Sequence, residues 1–434
     1  MKTPKLLFLI LLAVAPACAE DLSMTRGVEL ALNNNLYMRL AKASGEVRKA
    51  EALIAASRLL PQVEFTISQS RTFKENATAL GFGEAPGGGV FMMGPFNTFD
   101  ARLSLVQTVL NLSARNTARS RAEDERSAKL RVSLAAEQVS AAAALAYLEV
   151  LRSSAAVSSA ASGLELAAGL RALAEGKHDA GTATGLDVLR ARTREAEESL
   201  RVSRTQTALA EAQLRLKHLL GLPYSKELNL TETLGFIAPE IPAERAASAQ
   251  ALAARLELEM ARADLSAGSY ALKAAKAVRV PDIAVSGAAA MSGNNPDKDA
   301  KLVGDIGVSL RVPLLAGGRV SAGIDAAAAS KERTQSLLDD AAAQVEEETL
   351  TALYRLKASA QEVTTASMTV TMTGQELDMA RNRFSAGVAD NIELVDAQTA
   401  LSRAKDSFID ALSRGKEANI RLALALGRMK DLKF

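Results

Sequence analysis

Residues 383–398 read RFSAGVADNIELVDAQ and hold the most suggestive chemistry in the chain. Glu393 and Asp396 lie three positions apart. On a helix that spacing puts both carboxylates on one face, and paired acids aimed at one path attract cations and repel anions. Such crowding raises carboxylate pKa values. A simpler reading also fits. Acids in the first turns of a helix are favoured by the macrodipole and by free backbone N–H groups. Asp390, Asn391 and Glu393 are all explained that way, Asp396 less so.

The stretch has a counterpart. Residues 177–192 read KHDAGTATGLDVLRAR, and a shift of 206 positions puts Gly181 on Gly387, Leu186 on Ile392 and Asp187 on Glu393. The aligned pair there is Asp187 and Arg190, so only the second copy carries two acids. Upstream, residues 31–66 align with 251–286, and each copy reaches a proline (Pro61, Pro281) before an alternating stretch. The chain is one unit of about two hundred residues used twice, the kind of internal repeat that decides the fold.

Little else could do chemistry. His178 aligns with Phe384 just before the turn, where packing or a partner-facing role outranks metal ligation. His218 sits near a helix end, where a cation suits the dipole. Met92 and Met93 could hold a soft metal, but a surface loop is the simpler account. No nucleophile elbow, phosphate loop or metal-spaced histidine cluster occurs. We therefore expect no enzyme, no cofactor and no metal site.

The elements that position the acids are long. The chain has 434 residues, 52 basic and 50 acidic, with aromatics at 4% and no tryptophan. Near-neutral charge argues against nucleic acid as a partner, and the dominance of Ala and Leu suits closely packed helices. Proline is absent from Ser113 to about Lys177 and from Arg319 to Ser385. Each run predicts a helix near 100 Å long at about 1.5 Å per residue. A half-length helix follows each: Gly185 to Leu220, stopped by Gly221 and Pro223, and about Asp390 to Leu426, stopped by Gly427. This pattern predicts two antiparallel coiled-coil hairpins turning at Gly181 and Gly387. Segments 22–60 and 244–280 supply a helix to stack on the end of each shorter partner.

Between the helices the period changes to two. Val63, Phe65 and Ile67 alternate with Glu64, Thr66 and Ser68. Similar alternation marks residues 99–106, 282–286 and 302–311. Four strands of about ten residues result, in hairpins over 61–110 and 281–315 with tips at 81–94 and 292–300. One apolar and one polar face per strand fits a membrane barrel; a soluble sandwich with one buried face fits too. Four strands cannot close a barrel, and an open edge is not tolerated in lipid. Three chains would give twelve strands and a lumen.

The N-terminus, MKTPKLLFLILLAVAPACAE, has basic residues, an apolar run and Ala17-Cys18-Ala19. We expect a signal peptide over residues 1–19; acylation of Cys18 is the alternative. No further run of eighteen or more apolar residues occurs. Two repeats then follow, 20–230 and 231–434.

Three features carry a family resemblance: the duplicated A-G-x(4)-[LI]-[DE]-[VL]-[LV]-x-A turn, the LPQV and VPDI entries to each first strand, and SLRVPLLAGGRVSAGIDAA (309–327), where strand passes into helix. Their order and duplication resemble the TolC-type outer-membrane factor family across essentially the whole mature chain. The resemblance implies a homotrimer in the outer membrane of a Gram-negative bacterium. Its fold would be mainly α with a twelve-stranded β-barrel, four strands per chain, continued by a periplasmic α-helical barrel. It implies a passive exit duct of a tripartite efflux pump or type I secretion system. Its partners would be outer-membrane lipid, a periplasmic membrane-fusion adaptor and an inner-membrane transporter of RND, ABC or MFS type. The family's acidic constriction falls on Glu393 and Asp396, with Asp187 as the first-copy acid. Gly181, Gly185, Gly387, His178 and Phe384 fall at the turns and the adaptor-facing tip. The basic residue that members carry after the turn glycine is replaced by Val388, Ala389 and Asp390. A soluble periplasmic coiled-coil scaffold or adaptor is the competing reading; adaptors generally have one hairpin, without a tandem duplication.

Overall fold

The computed structural model describes residues 20–75, 92–235, 241–388 and 391–429. The expected signal peptide with Cys18, most of the first strand-hairpin tip, Ala389 and Asp390 lie outside the described residues, as do the side chains of Met92 and Met93. The elements run β1 (Glu20–Leu22), α1 (Met24–Asn34), α2 (Leu36–Ser57), β2 (Gln62–Glu75), β3 (Met92–Leu110), α3 (Leu112–Asp179), α4 (Gly185–Leu220), β4 (Leu228–Leu230), α5 (Glu244–Ala254), α6 (Leu256–Ala277), β5 (Asp282–Gly293), β6 (Lys301–Arg311), α7 (Arg319–Ser385) and α8 (Asn391–Ala425). The order helix, helix, strand, strand, long helix, shorter helix occurs twice. The chain divides into two compact units, each drawing on both repeats.

One unit holds the described parts of Met1–Lys42, Val132–Leu256 and Ala342–Phe434. Its largest core gathers Met24, Tyr147, Leu216, Leu220 and Ile420 from α1, α3, α4 and α8. The buried Tyr147 hydroxyl donates to the Leu22 carbonyl at 2.9 Å, and β1 pairs with β4 in a short parallel ladder. Across the second hairpin, Arg383 meets Glu393 at 3.1 Å and Arg414 meets Glu362 at 2.9 Å, fixing the antiparallel register of α7 and α8. In the first, Arg171 with Glu195 and Arg192 with Glu175 do the same for α3 and α4.

The stacked segments expected as single helices are each broken in two. Asn35 and Arg255 leave the helical region with ψ of 133° and 126°. The Asn35 amide donates to the Leu219 carbonyl at 3.0 Å, and the Arg255 guanidinium to the Ala425 carbonyl at 3.4 Å. Orphan carbonyls at the ends of α4 and α8 are thereby satisfied, at the same position in both repeats. Gly221 and Gly427 allow the approach. Their φ values are 65° and 68°, and a Cβ on either would press on the backbone of Asn34 or Ala254.

The other unit, Ala43–Arg131 with Glu257–Ala341, contains a four-stranded antiparallel sheet in the order β2-β3-β5-β6. β2 and β3, at 14 and 19 residues, exceed the expected ten because pairing continues past the clean alternation. Directly paired residues share a face and successive residues alternate, so the register assigns both faces. Val63, Phe65 and Ile67 pair with Leu105, Leu103 and Ala101. Those pair with Gly287, Ala289 and Met291, which pair in turn with Ile306, Gly304 and Leu302. No polar side chain interrupts these central rows; Gln107, paired with Val285, lies on the same face at one end, and Gln69, Arg71 and Asn97 lie on it at the other. The opposite face carries Glu64, Thr66, Ser68, Asp100, Arg102, Ser104, Ser286 and Asp305 by the same register, with Arg102 bonded to Asp100 and Asp305. Ile306 is 89% exposed, so the apolar face is uncovered and the buried-sandwich alternative falls. Outside the sheet, α3 holds a stretch apolar and long enough to cross a bilayer, but most of that stretch is buried in the protein.

Candidate functional site

Both hairpin turns close by the same device. Gly181 and Gly387 adopt φ of 73° and 76°, the left-handed region that only glycine enters freely. The Gly181 N–H donates to the His178 carbonyl and the Thr182 N–H to the Lys177 carbonyl; Gly387 to Phe384 and Val388 to Arg383 repeat the pair. This double-bonded cap satisfies the last carbonyls of a long helix. Gly185 has no left-handed backbone and simply opens α4.

Asp187 completes a capping box. Its carboxylate accepts from the Thr184 N–H at 2.9 Å and from the Thr184 hydroxyl at 2.7 Å, while its own N–H donates to Thr184 Oγ1. Burial pushes the Asp187 carboxyl up, but the Thr184 hydrogen bonds and nearby Arg190 outweigh it, and the pKa lies below the ordinary value. The helix-start reading thus describes Asp187 well.

Glu393 and Asp396 differ from it. Leu394, Ala397 and Gln398 turn inward and are buried, which leaves both acids on the exposed side of α8. Glu393 is shared with Arg383; an ion pair this exposed contributes little to stability.

The two turns are stitched together. Asn391, the first residue of α8, is 3% exposed and donates its amide to the Asp187 carbonyl at 2.9 Å. Lys177 donates to the Phe384 carbonyl and lies 4.8 Å over the Phe384 ring. Beneath them Leu170, Leu377, Phe384, Leu394 and Ala397 form a small apolar core. Phe384 therefore corrects the expectation of an adaptor-facing residue. At 5% exposure it points inward, because an aromatic ring at this position fills the space where α3, α7 and α8 meet. Its first-copy equivalent, His178, is exposed and holds the Ala183 carbonyl through Nδ1 at 3.1 Å. Leu186, Leu189, Val388 and Ile392 are large exposed apolar residues at the turns.

Further along, Arg201 of α4 joins three helices. It bonds Ser159 of α3, the buried Glu198 of its own helix, and Ser402 and Asp406 of α8. Burial raises the Asp406 carboxyl in spite of Arg201. Arg152 reaches Asp410 at 3.1 Å one turn on. None of these inter-hairpin links was visible in the sequence, because each joins residues some two hundred positions apart. The 206-residue shift pairs Lys177 with Arg383 but says nothing of which carbonyl either one meets. Among the described residues, no cluster of three or more His, Cys, Asp or Glu could hold a metal.

Comparison with known proteins identifies the architecture. The outer membrane efflux protein family matches residues 27–222 and 247–428, one stretch per repeat. The solved outer-membrane channel OprN is 21% identical, with a TM-score of 0.82 over 93% of this chain and 89% of its own. The Campylobacter jejuni outer membrane channel CmeC is 18% identical, with a TM-score of 0.82 over 93% of this chain and 85% of its own. The Vibrio cholerae outer membrane protein VceC is 18% identical, with a TM-score of 0.81 over 93% and 96%. No curated protein matches the chain in sequence. With the family matched in both repeats and an uncovered apolar sheet face suited to lipid, the chain belongs to the outer membrane efflux protein family and is an outer-membrane efflux channel.

Proposed function

We propose that three copies close their sheets into a twelve-stranded barrel and that Glu393 and Asp396 form two stacked carboxylate rings at its periplasmic constriction. The observation that carries the trimer is the sheet itself. One face is apolar across its central rows, and β2 and β6 each leave an edge without a partner in the described chain. Lipid accepts the face but not the edges, and three sheets joined edge to edge remove them. The constriction rests on the exposed acids above an inward-facing Leu394 and Ala397.

The channel does no chemistry. It is the exit of a tripartite efflux pump or type I secretion system, and the energy comes from an inner-membrane transporter of RND, ABC or MFS type. A periplasmic adaptor engages the turns around Gly181, Gly185, His178 and Gly387, where Leu186, Leu189 and Val388 offer apolar contact. Two bonds hold the constriction shut: Asn391 to the Asp187 carbonyl and Lys177 to the Phe384 carbonyl. They stand in for the basic residue that Val388 replaces. Engagement of the adaptor separates the two hairpins and breaks both bonds, and the α8 acids then move apart.

Cross-linking of the detergent-purified protein, with the mass read under denaturing conditions, tests the assembly. Saturation at three chains is expected. Saturation at one or two chains contradicts the closed barrel.

A further inference from the structure

Four segments join the sheet to the helices, and all leave the same end of it. The register sets Gln62 against Val106, Leu110 against Ile283 and Asp282 against Arg311. Three of these segments expose large apolar side chains, Val280 before β5 among them. Leu60 precedes β2, and Leu314 and Leu315 follow β6 at 92% and 95% exposure. Three of the four segments also carry an exposed arginine: Arg58 before β2, Arg279 before β5, and Arg319 after the Gly317–Gly318 bend. Among the described residues no carboxylate lies within ion-pair distance of these three side chains. Arg58 and Arg279 follow helix C-termini, where a cation suits the dipole. Arg319 opens α7, where a cation is disfavoured, so the dipole does not account for the set.

Bilayer depth does account for it. Along β6 the apolar face from Leu302 to Leu310 covers about 26 Å at about 3.3 Å per residue. A strand tilt of about 40° reduces that to about 20 Å of depth, whereas the apolar band of a membrane barrel is about 25 Å tall. Leu60, Leu314 and Leu315 extend the apolar surface beyond the sheet on the side from which the helices leave, which is the periplasmic side. The arginines come next, at headgroup level, where long cationic side chains reach out of the apolar layer and a guanidinium fits a phosphate with two hydrogen bonds.

We propose that these segments form a lipid-binding collar in the inner leaflet of the outer membrane, with Arg58, Arg279 and Arg319 holding glycerophospholipid phosphates. The proposal rests on the outer-membrane placement, adds a specific ligand to it, and continues the lipid-facing surface of the sheet. The β5–β6 tip at the opposite end of the sheet faces the other leaflet.

Native mass spectrometry of the detergent-purified full chain tests this with phosphatidylglycerol, phosphatidylcholine and lipid A as separate probes. The unmodified protein retains phosphatidylglycerol best. The Arg58→Gln/Arg279→Gln/Arg319→Gln variant retains it at least tenfold less well, given that each basic residue near an anionic surface is worth about fivefold in binding. Replacement of all three by Lys keeps most of the binding. Arg204→Gln/Arg333→Gln, altering two exposed arginines away from the sheet end, changes nothing. Undiminished phosphatidylglycerol in the triple Gln variant overturns the collar, as does a preference for lipid A that the three arginines control. If the triple variant fails to assemble, the three single Arg→Gln variants decide the same question, each expected to bind about fivefold less. Conductance measured on the same samples separates the two readings: a conducting variant that keeps its lipid refutes the collar and leaves the channel standing.

Discussion

Replacing Asn391 with Ala should open the channel more than it unfolds it. The Asn391 amide is buried and donates to the Asp187 carbonyl at 2.9 Å, joining the first turn of α8 to the first turn of α4. A hydrogen bond of this kind contributes about 0.5–1.5 kcal/mol net, and stranding a buried acceptor adds to the loss. About 1.4 kcal/mol is therefore a reasonable magnitude for the substitution, and that corresponds to a tenfold change in an equilibrium constant. If the bond exists only in the closed arrangement, the whole amount moves the closed–open balance, and the open-to-closed ratio rises about tenfold. Single-channel recording in a planar bilayer reads that ratio directly, and thermal melting of the same sample reads global stability. An unchanged ratio in an intact trimer with a lowered melting temperature would refute the reasoning, because it would place the bond in both states.

Other substitutions probe separate parts of the account. Gly387→Ala forces a Cβ into φ of 76° and should cost about 1 kcal/mol, read as earlier melting and faster tryptic cleavage at the turn. Thr184→Ala removes the N-cap of α4 and should cost about 1 kcal/mol at neutral pH. Asp187 has a lowered folded pKa, so its contribution is present above the ordinary Asp value of about 3.9 and is lost as pH falls through the folded value. The gap between wild type and Thr184→Ala should therefore stay flat at neutral pH and narrow only below about pH 4; narrowing near pH 6 would point to another group. Ile306→Arg puts a charge on the lipid face and should cost about 2–4 kcal/mol if it sits near mid-bilayer, seen as loss of outer-membrane protein, whereas Val303→Arg, on the polar face opposite Ala290, should assemble.

Much of this architecture is legible in the sequence, for definite physical reasons. Gly221 and Gly427 stop α4 and α8 because a left-handed cap suits glycine, and Arg319–Ser385 emerges as one helix because nothing in it breaks the pattern. The apolar face of the sheet follows from alternation alone. The breaks at Asn35 and Arg255 do not. Neither is glycine or proline, and both depend on carbonyls about 170 to 184 residues away. The β1–β4 pair is too short to leave a period. Phe384 looks like a tip residue because its repeat partner His178 is one; only the packing of Leu170 and Leu394 around it reveals the core. The bonds made by Lys177 and Asn391 fall in the same class, since a side chain that donates to a distant carbonyl leaves no mark on local spacing.

Ion selectivity of single channels, compared between wild type and Glu393→Gln/Asp396→Asn, tests the central claim most directly. Both acids are exposed on α8, so neutralising them should leave the trimer intact. We predict small cation-selective openings for the wild type and loss of that selectivity in the double variant. Unchanged selectivity in an assembled double variant would contradict the account, making these acids helix-start residues and placing the constriction elsewhere.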